Sequence, residues 1–162
     1  MTHAPRLPDL ARIGELAFTE VLNTFLSLPA TPRQSSAQTP VAAPDQLAAT
    51  IPLAGKGLSG AVRVLLPLPF VAQAVKQLTG LDGAEQEAIH EDAAGEIANM
   101  VAGRIAAQLA AGGYACTLDT PSVSRNASSA TDTQPGVRHG RTDLLCNGHW
   151  LSLEIHCRYT AQ

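Results

Sequence analysis

The stretch from Asp82 to Ala111 constrains this chain most, because it reads as one long helix with both ends marked. Asp82 and Glu85, three residues apart, make a capping-box-like start. Gly112-Gly113 supplies the glycine stop expected just past a helix C-terminus. Between them Ile89, Ala93, Ile97, Val101 and Ile105 recur mostly four apart, with Met100 beside them, and form a stripe that must face a core. Asp92, Glu96 and Asn99 lie about 100–160° round the helix from Ile97. Spacings of three and four put these side chains next to one another. The pattern therefore presents a carboxylate and a carboxamide side by side, pointing away from the core.

Gly95, Ala102, Gly103 and Ala106 flank Asn99 on the same face. Small residues lower the rim around a projecting side chain and let another backbone approach. A glycine inside a helix costs about 0.5–1 kcal/mol relative to alanine, so Gly95 and Gly103 need a reason beyond stability. Two are open: approach of a partner, or close packing of this helix on its own sheet or a neighbouring helix.

The remaining chain supplies an α+β order with an antiparallel sheet packed against helices. Leu10, Ile13, Ala17, Val21, Phe25 and Leu28 recur at helical spacing, started by Pro8-Asp9 and stopped by Pro29 and Pro32. Residues 29–44 and 122–141 read as loops. Leu47–Leu53 and Leu58–Leu66 read as strands around Gly55-Lys56-Gly57, whose glycines suit a positive-φ hairpin turn. A short helix from Pro69 to Leu78 closes at Thr79-Gly80. Tyr114–Thr120 reads as a strand ended by Pro121. The last residues form a strand or strand pair, Leu151, Leu153, Ile155 and Cys157 alternating with Ser152, Glu154, His156 and Arg158. The 162 residues make one domain by length.

A formal charge of −3 excludes general attraction to nucleic acid or an anionic membrane, so a partner must be recognised by a local patch. Cys116, Cys146 and Cys157 are odd in number and widely spaced, which argues for a reducing compartment. With no signal-like start and no apolar run near 20 residues, a cytoplasmic protein is expected.

Asp92-x-x-x-Glu96-x-x-Asn99, with Pro121 closing the strand after the helix, resembles the signature of the CheC/CheX/FliY chemotaxis phosphatases. Gly95-Glu96-Ile97-Ala98-Asn99-Met100-Val101-Ala102-Gly103 is similar to that family's catalytic helix, and Thr120-Pro121-Ser122-Val123 to its following turn. The resemblance covers about Leu47 to Val123, and the lone motif helix is more like CheX than the two-motif CheC. It implies a phosphatase for the aspartyl phosphate of a CheY-like response regulator. Glu96 and Asn99 would be catalytic, with Asp92, Gly95, Ala102 and Gly103 at the partner. Asp92 reads equally as an exposed helix acid. The partner brings its own Mg²⁺ and lysine, so no cofactor of this chain is expected. What it lacks is an oriented water, and a carboxamide can hold one without adding charge. A homodimer joined through sheet edges is also implied. The competing reading is an adaptor with the same fold, which has no need of the carboxamide.

Other signals carry less. Gly55-Lys56-Gly57-Leu58-Ser59-Gly60 fits G-x-G-x-x-G, but a strand follows where a nucleotide loop requires a helix. Cys146-x-x-His149 and His156-Cys157 suggest zinc, yet strand alternation sends His156 and Cys157 to opposite faces. His90, beside Glu91, reads as an exposed polar residue.

Overall fold

The computed structural model describes residues 6–33, 45–80, 87–125 and 134–160. Its elements are α1 (Leu10–Thr24), β1 (Ala30–Pro32), β2 (Gln46–Ala54), β3 (Leu58–Pro67), α2 (Leu68–Thr79), α3 (Glu87–Ala111), β4 (Thr117–Leu118), β5 (Ser122–Arg125), β6 (Val137–Cys146) and β7 (His149–Tyr159). The strands form one antiparallel sheet in the order β1-β6-β7-β3-β2-β4, with β5 also paired to β2. The fold is α+β, as the element order implied.

One sheet face carries Leu47, Ala49, Ile51 and Leu53 of β2, Val62, Val64 and Leu66 of β3, and Leu151, Leu153, Ile155 and Cys157 of β7, all buried. All three helices contribute to the same core. Asp9 caps α1, its carboxylate accepting from the Arg12 N–H at 3.1 Å. The helix ends before the prolines: Ser27 turns left-handed at φ 51° and the Leu28 N–H donates to the Leu22 carbonyl. Phe25, expected on the buried stripe, therefore lies beyond the last turn and is 47% exposed, while Phe18 and Leu22 fill the core. Gly80 stops α2 at φ 68°, donating to the Lys76 carbonyl.

The two expected loops contain strands. Within 29–44, Ala30–Pro32 pairs with β6 as an edge strand, where proline is tolerated. Within 122–141, Ser122–Arg125 joins the β2 edge and β6 begins at Val137. Here the core-facing positions Arg138, Gly140 and Thr142 gave no apolar alternation. Conversely, only Thr117–Leu118 of the expected Tyr114–Thr120 strand is extended and paired. Gly55 does not take a positive φ; a Cβ there would stand 2.2 Å from the Ala115 carbonyl oxygen, so close approach explains it. The start of α3 expected at Asp82 and Glu85 lies outside the described residues. His90, expected exposed, is 5% exposed.

The opposite sheet face is polar and also buried around β7. Glu154 lies directly between Arg63 of β3 and Arg141 of β6 in the register. Arg141 Nη1 donates to Glu154 Oε1 at 3.1 Å, and Arg63 Nη1 stands 3.8 Å from Glu154 Oε2. Asp143 continues the ladder, accepting from Ser152 Oγ at 2.7 Å and pairing with Arg33 and Arg141.

Candidate functional site

Helix α3 encloses Ala94, Ile97, Ala98, Val101, Ala102, Ile105 and Leu109 completely. Ile89, Ala93 and Met100 of the expected stripe are only partly buried. The helix is thus rolled towards its alanines, whose single methyl groups let it lie close on the sheet. This corrects two expectations. Ala102 is fully inside the core, and Gly95 is buried beneath Pro121 and Val123, so neither offers surface to a partner.

Asp92, Glu96 and Asn99 are all exposed on one side of the helix, with half-buried Gly103 next along the row. Among the described residues none of the three polar side chains takes part in a hydrogen bond or ion pair. A Cβ on Gly103 would meet nothing within 4 Å, so no packing inside the molecule requires a glycine there.

The helix is tied near both ends by arginines from a distance in sequence. Arg125 at the end of β5 reaches Glu87 in the first turn at 3.4 Å and Asp45 before β2 at 3.5 Å. Arg104, in the C-terminal half, pairs with Glu20 of α1 at 2.6 Å, its guanidinium carbon 5.5 Å from the Phe25 ring centroid. Exposed pairs of this kind contribute little stability each. They were invisible in the sequence, because 38 and 84 residues separate the partners.

Chemically, the row offers two carboxylates that can accept and one carboxamide that can accept and donate. Among the described residues no group of three or more His, Cys, Asp or Glu side chains is placed to hold a metal ion. Cys146 and His149 pair across the β6–β7 turn, while His156 points away from Cys157. No helix among the described residues is long and apolar enough to cross a membrane.

The family described as "Chemotaxis phosphatase CheX" matches residues 47–139, more than half of the chain and including all of α3 and β5. The chain belongs to the CheX family. Solved structures share the fold over nearly the whole length. CheX from Vibrio vulnificus superposes with a TM-score of 0.77 at 18% identity, over 97% of this chain and 100% of that one. CheX from Desulfovibrio desulfuricans gives 0.72 at 21%, covering 91% and 98%. A CheX–CheY–BeF3–Mg²⁺ complex from Borrelia burgdorferi gives 0.71 at 15%, covering 94% and 99%. No curated protein matches the sequence. Within a CheX-family fold, then, the exposed row lies on the helix that the sequence signature marks.

Proposed function

We propose that this chain is a phosphatase for the aspartyl phosphate of a CheY-like response regulator. Asn99 orients the attacking water and Glu96 pairs with the partner's lysine. The observation that carries the reading is the exposed row Asp92–Glu96–Asn99, whose side chains are committed to nothing else among the described residues. Family membership supports the reaction class. The Borrelia complex supports the partner: there a CheX relative is bound to CheY with Mg²⁺ and beryllofluoride, a stand-in for the phosphoryl group.

The division of labour follows from what each side holds. The receiver domain supplies phosphoaspartate, Mg²⁺ and lysine, which neutralise charge on the transferring group. The water oxygen bonds to phosphorus as the bond to the aspartate oxygen breaks, restoring the carboxylate and releasing phosphate. Asn99 holds that water in line, a positioning effect that can be worth several kcal/mol. Glu96 makes a charge-assisted contact that seats the helix. Gly103, with open space around it, gives the partner's backbone clearance one turn from Asn99. Asp92 adds a second exposed acid to the docking row. Three free cysteines fit action in the reducing cytoplasm, where receiver domains work.

The test is phosphate release from a panel of phosphorylated receiver domains of the same organism, with and without this protein. At least one should lose its phosphate much faster in its presence. Tight binding of a phosphorylated receiver with no acceleration in any would make the chain an adaptor instead.

A further inference from the structure

Of the nine arginines in the chain, six are paired with carboxylates: Arg12, Arg33, Arg63, Arg104, Arg125 and Arg141. Arg158 donates to Gln134 at 2.8 Å. Among the described residues Arg6 and Arg138 have no acidic partner, and both line the same cleft of about 580 Å³. His139 lines it as well. The one acid in the wall, Asp9, already accepts from the Arg12 N–H as the cap of α1. Two guanidiniums against one carboxylate leave the wall with a net positive charge in a chain of net charge −3.

The cleft is formed by the start of α1 lying directly on β6. Gly140, next to His139, permits that contact: a Cβ there would stand 2.5 Å from the Ala11 nitrogen and 2.6 Å from the Leu10 carbonyl carbon. β6 is separated from β2, beside which β5 and the Pro121 turn lie, by β7 and β3, and no α3 residue is among those that line the cleft.

We propose that this cleft is an anion site that takes the phosphate group of a small phosphorylated organic molecule. Two guanidiniums present forked N–H donors that match phosphate oxygens, and the imidazole adds a ring nitrogen. The apolar walls, Leu7, Pro8 and Leu10, suit the organic part. The volume falls within the range of small-molecule sites and well exceeds what bare phosphate needs.

The experiment is a ¹⁵N NMR titration of the full chain with adenosine monophosphate, inorganic phosphate and adenosine, at constant ionic strength. Saturable shifts of the amides of Leu7, Leu10, Arg138 and His139 are expected with both phosphates, tighter for the nucleotide, and none with adenosine. Arg138→Gln and Arg6→Gln, both exposed, should leave the rest of the spectrum unchanged and weaken binding at least tenfold. The proposal is overturned by absence of shifts at these amides with either phosphate, or by unchanged binding in both variants. Inorganic phosphate binding as tightly as the nucleotide would remove the apolar walls from the site and overturn the assignment to an organic ligand.

Discussion

Pro121 lies over Gly95: a Cβ on Gly95 would stand 3.7 Å from Pro121 Cβ and 3.7 Å from Val123 Cγ2. The proline and the helix of the signature are thus in contact, at the residue immediately before Glu96. A separation of 3.7 Å is ordinary van der Waals contact, so Gly95→Ala fits. It should stabilise the fold by about 0.5–1 kcal/mol through helix propensity. Gly95→Leu drives its branch into Pro121 and Val123 and should cost about 1–3 kcal/mol. Urea denaturation of the two variants checks both signs.

Gly103 separates stability from docking. With open space around the missing Cβ, Gly103→Ala should raise unfolding stability by about 0.5–1 kcal/mol. Gly103→Arg should fold equally well yet weaken binding to a beryllofluoride-activated receiver domain at least tenfold. Unchanged affinity in the arginine variant would show that the partner does not approach this part of the helix.

Glu154 holds together the polar sheet face. At 6% exposure it stands between Arg63 and Arg141, and removing its charge leaves the Arg63 guanidinium buried without compensation. Glu154→Gln should therefore destabilise by about 2–4 kcal/mol, the lower part of the range reflecting water still open to Arg141. Thermal unfolding measures it directly.

Alkaline pH should weaken the fold in two stages. Burial, with a smaller effect of nearby Cys116, pushes the Cys157 thiol from 9.0 up to about 12. Burial, with Cys157 and Tyr114 beside it and Arg138 partly opposing, pushes Tyr159 from 10.0 up to about 12. The folded chain thus holds protons that the unfolded chain releases. Stability is full below about pH 9 and falls as pH rises towards 12. Burial pushes the Cys116 and Cys146 thiols up as well, so between pH 9 and 10 all three cysteines contribute, and Cys157→Ala should lessen the decline there in denaturant midpoints without abolishing it. An equal slope in that variant would contradict the assignment.

Most of the sheet's centre and all three helices were legible in the sequence, because apolar spacing and glycine or proline stops marked them. The signature residues were legible for a different reason: Asp92, Glu96 and Asn99 fall at spacings of four and three on one side of a helix that also carries an apolar stripe. What escaped depended on neighbours distant in sequence. β1 and β5 are edge strands of three and four residues, too short and polar to show a period. β6 hid its core face behind Gly140 and Thr142, although Asn147-Gly148, both at positive φ, spelled out the hairpin joining it to β7. The burial of Ala102 and Gly95 followed from the roll of α3 towards its alanines, which counting the larger side chains could not reveal.

The central claim, that Asn99 positions the water while the rest of the row docks, is tested most directly by Asn99→Ala in two paired assays. One measures phosphate release from the phosphorylated receiver domain; the other measures binding to the same receiver activated with beryllofluoride and Mg²⁺. The account predicts that Asn99→Ala loses the acceleration entirely while binding within a few-fold of wild type, and that Glu96→Ala loses affinity. Acceleration retained by Asn99→Ala would contradict it.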